Sequence, residues 1–310
     1  MYKGCHITVV MPAHNEERLI CKTITTTPDF VDRIIVVDDK SSDETAHRVL
    51  ELADPRVTLI RHEHNLGVGG AILSGHQKAL ELGGDIDVVM AGDAQMNPDY
   101  LNRLLDPIVE GGYGFSKANR FFNRESFSGM PSHRVFGNVV LSFMTKLASG
   151  YWHIFDPQNG YTAISHDSLK RLQLNKIALG YQFENDLLIN LSILGVHAKD
   201  VAIPAMYGEE VSGIKLRRVI PQISSLLFTG FWKRIWFKYV LWSFSPIALL
   251  LFSGIFLIIW GLGWGVFDVI YALGARSPTA ASALLSVAPL MTGIYMLIQA
   301  LVLDIQETAD

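Results

Sequence analysis

Two stretches of this chain, Tyr239–Phe267 and Ser277–Leu303, carry no charged residue. Each exceeds the ~20 residues a helix needs to cross a bilayer. Back to back, they predict a transmembrane hairpin over 239–310, with spans at about 239–263 and 279–303; the first would tilt or end early at Gly261–Gly265. The mean hydropathy of +0.26 is high for a purely soluble protein, and the excess sits in this last quarter. Lys233, Arg234 and Lys238 stand before the first span, and basic flanks stay on the cytoplasmic side. Two spans return the acidic tail DIQETAD to that side. The opening residues lack the apolar core and cleavage site of a secretory signal. The expected arrangement is a multi-pass membrane protein with its folded domain and both termini cytoplasmic. Residues 212–238 combine basic residues with Phe228, Phe231, Trp232 and Trp236, which predicts an amphipathic helix lying in the lipid interface. The alternative is a helix packed on the domain.

Residues 1–211 read differently. Short apolar runs at Ile7–Met11, Ile34–Val37, Val57–Arg61, Val88–Ala91, Gly114–Lys117, Gly160–Ser165 and His197–Ile203 alternate with helical patterns. That alternation predicts βαβ units and a mostly parallel α/β sheet. The net charge of -4 lacks the basic face that nucleic acid would need. Cys5 and Cys21 form no CxxC pair, which excludes a disulfide framework or zinc site and fits a reducing compartment. His62 and His64 have metal-like spacing without a third ligand, and read as structural.

Two strands run directly into carboxylates: IIVVDDKSSDET over Ile34–Thr45, and DVVMAGDAQMNP over Asp87–Pro98. In an open α/β sheet, ligands sit beyond the carboxyl ends of the strands. Asp38, Asp39, Asp93 and Gln95 should therefore converge on one cleft. Oxygen donors without a Cys/His set suit Mg²⁺ or Mn²⁺ and, through the ion, a diphosphate. Gly67, Gly69 and Gly70 read as turn residues beside a nucleotide. A dinucleotide fingerprint fails at Ile72, and no GxxxxGK[ST] occurs. Asp43 reads as a capping acid.

VVMPAHNEE, VVDDKSSDET, NLGVGGA and MAGDAQMNPD, in that order, resemble the family 2 glycosyltransferases of GT-A fold. The likeness is strongest to membrane-anchored polyprenyl-phosphate sugar transferases and covers about the first 215 residues. It implies a nucleoside pocket at Pro12, Ala13, Asn15 and Glu16, with Glu16 near the ribose and Asp39 bonding the base. Gly67, Ala91, Gly92 and Asp93 would complete the nucleotide site. Asp93 and Gln95 would hold the metal. Relatives have an acid where Ala91 stands, counting back seven places from Pro98, so the metal run is short of one carboxylate.

The resemblance also implies an acceptor side. KANRF offers Arg120 and SHRVFGN offers Ser132 and Arg134 toward phosphate. FDPQNGY offers Asp156, and YGEEVSGIK offers Lys215 from a mobile loop. Arginine meets phosphate oxygens in planar, bidentate fashion, which ranks Arg120 and Arg134 above nearby lysines. Asp93, Asp156, Arg134 and Arg120 are the expected catalytic set. Glu184 and Asp186 either face the acceptor or serve as first-turn acids.

Together these readings imply inverting transfer of a sugar from a nucleotide-diphosphate sugar, with uridine the preferred base, to a polyprenyl phosphate. A transferase acting on another membrane lipid, and a nucleotide-sugar-binding scaffold impaired at Ala91, are the alternatives. Assembly of copies through the spans is left open, as are the sugar and the polyprenol.

Overall fold

A computed structural model describes residues 1–121, 132–204, 216–274, 277 and 279–307. The chain divides into two compact units, Met1–Phe231 and Trp232–Asp310.

The first unit is built on one seven-stranded sheet. Its strands are β1 (Ile7–Ala13), β2 (Arg33–Asp38), β3 (Val57–Arg61), β4 (Ile86–Val89), β5 (Phe115–Asn119), β6 (Thr162–Ser165) and β7 (Ala198–Ala202), in the order β3-β2-β1-β4-β6-β5-β7. All seven fall where the apolar runs placed them. The pairings among β1, β2, β3 and β4 are parallel, as is β5 with β7. β6 runs antiparallel to both neighbours. The cause of the apolar runs is visible in β1, β2 and β4. Helices cover both faces of the sheet, so nearly every residue of these strands is buried and strict alternation is lost. One core packs β1, β2 and β4 against α1 (Ile20–Thr26) and α4 (Leu101–Val109). Across the sheet, α3 (Gly67–Leu82), α6 (His166–Arg171) and α7 (Phe183–Ile193) contribute Ile72, Leu169 and Leu188 to another.

At the amino end of β4, buried Asp87 bonds two buried histidines, His76 at 2.9 Å and His166 at 2.8 Å. This satisfies a carboxylate that would be costly to bury alone. It joins α3 and α6 to the sheet at the end opposite the cleft. The His–Asp–His set was not foreseen, because its members lie far apart in sequence.

Helices α2 (Thr45–Glu51) and α5 (Ser132–Ser149) complete the layers, and α8 (Leu216–Arg234) follows. Ile223 and Leu227 of α8 pack with Ala148 of α5 and with Ile189 and Ile193 of α7. Ile220 and Phe228 remain more than half exposed on its other side. The segment expected to lie in lipid thus also docks on the domain.

The second unit holds α9 (Pro246–Leu273) and α10 (Ala280–Glu307), each long and apolar enough to cross a membrane. Ile259 and Met291 are 65% and 63% exposed, unlike core helices of a soluble protein. The helices approach closely where side chains are absent. A Cβ on Gly293 would lie 2.7 Å from the Gly254 carbonyl, the small-residue packing common between spans. The first helix starts later than expected. Ile235–Trp242 forms a π-helical segment; Ser245 then caps the new helix at the Ile247 N–H, and Pro246 occupies its first turn. The basic cluster is therefore separated from the span by a break at Ser243–Ser245. Arg234 pairs with Asp304 at 2.6 Å and Lys238 with Glu307 at 3.3 Å, which places the end of α10 beside the segment that leads into α9.

Candidate active site

Sheet order reverses between β2-β1 and β1-β4, a topological switch point where crevices open. A cavity of about 380 Å³ lies there. It is lined by Pro12, Ala13, His14 and Glu16 beyond β1, Asp39 beyond β2, and Ala91, Gly92 and Asp93 beyond β4. Asn65, Gly67, Val68 and Ala71 of the α3 entrance, with Gly180 and Tyr181, close it.

Asp39 is 3% exposed and its carboxylate is heavily engaged. Oδ1 accepts from the Leu66 N–H and bonds His62 Nδ1, both at 2.8 Å; Oδ2 accepts from the Gly67 N–H at 2.8 Å. His62 in turn bonds Ser74 at 2.9 Å. Asp39 therefore shapes the pocket wall by holding the first residues of α3, and His62 orients it. Asp38 departs from the expected convergence. It is 1% exposed, accepts from the Ser41 N–H and faces Arg61 of β3, so it holds a turn outside the cleft. Asn15 also departs. It adopts φ 59°, and its side-chain oxygen accepts from the Ser42 N–H at 2.8 Å, which ties it to the neighbouring loop rather than to the cavity lining. Asp43 takes the capping role: it accepts from Thr45 and from the Glu17 N–H.

Asp93 reaches the cavity on a tight turn in which Ala94 has φ 56°. One carboxylate oxygen accepts from the Gln95 N–H at 3.0 Å. Burial pushes the Asp93 carboxyl above its usual range. A desolvated carboxylate in a nucleotide-sized cleft is a position that a cation would stabilise. The donor set therefore fits a divalent ion in part. Asp93 faces the cavity, Gln95 does not line it, and no group of three or more His, Cys, Asp or Glu residues able to hold a metal occurs among the described residues. Ala91 lines the cavity too, its N–H directed to Met96 Sδ at 3.3 Å.

The residues expected on the acceptor side form a separate group beyond β5. Arg120 grips buried Asp156 through Nε at 2.7 Å and Nη2 at 3.1 Å, with its backbone N–H at 3.3 Å. The two residues expected to act side by side are thus each other's partner, in a recess with Asn138, Ser142 and Gln158. Lys117, 1% exposed, donates to the Asn159 carbonyl, and burial pulls its pKa down to about 8. Glu184 has its carboxyl pushed up by desolvation, countered by the charge of Lys117. Asp200 accepts from Asn119 at 2.6 Å and is pushed up to about 6 by burial. Asp186 accepts from the Ala178 N–H and from Asn190, a structural role. Ser132 and Arg134 belong to the first turn of α5, and their side chains lie outside the described residues, as does Lys215.

Gly180 and Tyr181 of the lining, and the buried Lys117, went unnoticed in the sequence. A signal for the first pair existed in Gly69. A Cβ there would lie 2.6 Å from the Leu179 carbonyl, so the absence of a side chain lets that loop reach the cavity.

A parallel sheet with carboxylates gathered at its switch point defines a nucleotide-binding α/β domain of GT-A type. The family model for glycosyl transferase family 2 matches residues 8–173, more than half of the chain, and the chain belongs to that family. It is a glycosyltransferase. A UDP-N-acetylglucosamine–dolichyl-phosphate N-acetylglucosaminyltransferase from Methanococcus voltae is 34% identical over 218 residues, covering 66% of this chain and 86% of that protein. An undecaprenyl-phosphate mannosyltransferase from Micrococcus luteus is 28% identical, with 64% and 82% covered. Among solved structures, glucosyl-3-phosphoglycerate synthase from Mycobacterium tuberculosis, in complex with Mn²⁺, UDP and phosphoglyceric acid, superposes with a TM-score of 0.56. It is 24% identical, covering 74% of this chain and 78% of that one, and likens the fold.

Proposed function

We propose that this chain transfers a sugar, with inversion, from a nucleotide-diphosphate sugar (UDP-linked by preference) to a polyprenyl phosphate. The observation that carries the reading is the company Arg120 keeps. Its recess is walled by Asn138, Leu141 and Ser142 of α5. The same helix presents Phe136, Val139, Val140 and Phe143 to solvent, with Phe155 beside it, each 43–71% exposed. A recess that holds an arginine and is bordered by exposed apolar surface matches a ligand that is a phosphate at one end and a hydrocarbon at the other. The relatives named for polyprenyl-phosphate transfer support the same acceptor class.

The donor occupies the 380 Å³ cavity, with Glu16 toward the ribose and the base against the wall that Asp39 holds. Asp93, together with Gln95 of the same motif, would hold Mg²⁺ or Mn²⁺, and the bound ion would supply charge neutralisation to the departing nucleotide. The acceptor needs little activation, because a phosphate monoester is largely ionised near neutral pH, its second pKa being about 6. Its oxygen attacks the anomeric carbon as the bond to the nucleotide diphosphate breaks; one displacement inverts the configuration. Arg120 would bind that phosphate in exchange for Asp156, which holds its partly exposed guanidinium in a planar, bidentate geometry; Arg134 of the SHRVFGN motif would be the second cation. The membrane hairpin keeps the enzyme beside its lipid. The basic flank at Lys233 and Lys238 supports a cytoplasmic side for the domain and both termini.

The test is product analysis. The full chain, incubated with Mn²⁺, polyprenyl phosphate and each of a panel of UDP- and GDP-sugars, should yield one lipid-linked sugar whose anomeric configuration is opposite to the donor's by NMR. Retention of configuration refutes the single displacement. Sugar transferred to diacylglycerol in place of polyprenyl phosphate refutes the acceptor.

A further inference from the structure

Lys117 sits at the end of β5 with its ammonium out of water. Its hydrogen bond goes to a neutral main-chain carbonyl, that of Asn159, and no ion pair with a carboxylate forms among the described residues. Glu184, Asp156 and Asp200 act on it through space alone. Such burial is unfavourable, and an apolar side chain of similar volume commonly serves a fold as well or better. The ammonium therefore calls for a reason other than packing.

What it holds is the turn from Asp156 to Tyr161. At one end of that turn, Asp156 grips Arg120. In the middle, the Asn159 N–H donates to the Asp156 carbonyl at 3.3 Å, and Asn159 Oδ1 accepts from the Tyr161 N–H at 3.0 Å. At the other end, the Tyr161 hydroxyl donates to the Asn97 carbonyl at 3.2 Å. Gly160 lies against Met96, whose sulfur receives the Ala91 N–H. One short piece of chain thus runs from the acceptor arginine to the loop that carries Ala91 and Asp93.

We propose that Lys117 is a positioning residue for the transfer step: it pins the Asp156–Tyr161 turn through the Asn159 carbonyl, and so sets the spacing between Arg120 and the Ala91–Asp93 loop. The inference rests on the reading that Arg120 meets the acceptor phosphate while Asp93 faces the donor. Displacement requires the reacting atoms about 3–3.5 Å apart and in line, and a misplacement of about 1 Å costs on the order of 100-fold in rate. A turn tied at both ends and pinned at its centre gives that constraint.

Lys117→Met in the full-length protein tests this. The variant should keep its melting temperature, or gain, and bind UDP with Mn²⁺ within about threefold of wild type, while kcat for polyprenyl phosphate falls about 30-fold with little change in KM. Tyr161→Phe, which frees the far end alone, should lower kcat about fivefold, and the double variant should be no slower than Lys117→Met within about twofold, since both release the same turn. Wild-type kcat in Lys117→Met overturns the proposal. So does a loss confined to UDP affinity, or full additivity in the double variant. If Lys117→Met fails to fold, Tyr161→Phe decides alone, and an unchanged kcat there is fatal. Absence of transfer by the wild-type chain would overturn the functional reading itself, a distinct result.

Discussion

The cavity at the switch point, proposed for the donor, and the recess beyond β5, proposed for the acceptor, share a sheet but are made in opposite ways. Around the first, carboxylates are held mainly by backbone N–H groups, with His62 also bonding Asp39. Asp39 takes two N–H groups of the α3 entrance and Asp93 takes one from its own turn. Backbone donors on a rigid sheet preform a pocket without opposing charge, so Asp93 stays available to a cation. Around the acceptor, charges hold one another. Arg120 and Asp156 are paired, with Lys117, Glu184 and Asp200 acting through space. On the proposed reading, a phosphate must compete with Asp156 for the guanidinium. The difference teaches that the first site leaves a carboxylate unpaired by any cation among the described residues, as the proposed metal-bearing donor requires, while the second keeps its arginine already paired.

Substitutions can break this contrast, and the largest effect is expected at Asp156. Asp156→Ala frees the arginine from its orienting partner and should lower transfer more than about 100-fold, on the scale of losing a charge-assisted contact in a transition state. UDP affinity, measured by titration calorimetry, should stay within a few-fold. Asp93→Ala should do the reverse. Affinity for the nucleotide sugar in Mn²⁺ should fall by about tenfold or more, and EDTA should bring the wild type to the same level. Ala91→Asp sharpens the comparison from the other side: a second carboxylate beside Asp93 should raise transfer several-fold with donor affinity little changed. Flat or reduced activity would show that the cleft is adapted to one acid.

The smallest effect concerns stability. Burial raises the Asp200 carboxyl to about 6 from an ordinary value near 3.8. A carboxyl raised by folding favours the folded state while protonated. Its contribution is therefore present below about pH 3.8 and lost as pH rises through about 6. Asp200→Asn keeps an acceptor for Asn119 and removes that dependence. Its melting temperature should exceed wild type by about 2 °C at pH 7.5 and match it at pH 4, the modest size reflecting a partly exposed group.

Much of the donor side could be read from residues alone. Seven apolar runs became seven strands, and a strand ending in acids at a switch point has few places to put them. Glu16, Asp39, Ala91, Gly92 and Asp93 do line the cavity. The errors are local. Asn15 and Asp38 sit in the same motifs, but a left-handed backbone turns Asn15 toward Ser42, and Asp38 points to the other side of its strand end. Motif membership does not tell which way a side chain faces. The first long apolar helix begins late for a similar reason, since hydropathy registers the apolar run through 239–245 but not the cap at Ser245–Pro246. The acceptor network was the hardest to foresee. Its pairs join residues 36 to 81 positions apart, and a buried lysine looks like any other until the strand that hides it is in place.

The central claim is that this cleft serves a lipid that ends in phosphate. The direct measurement compares nucleotide release by the full chain in detergent, with Mn²⁺ and the active nucleotide sugar, on polyprenyl phosphate and on the matching polyprenol. The account predicts release coupled one-to-one to lipid-linked sugar with the phosphate, and background release with the alcohol. Equal turnover on both, or release that ignores the lipid altogether, would contradict it.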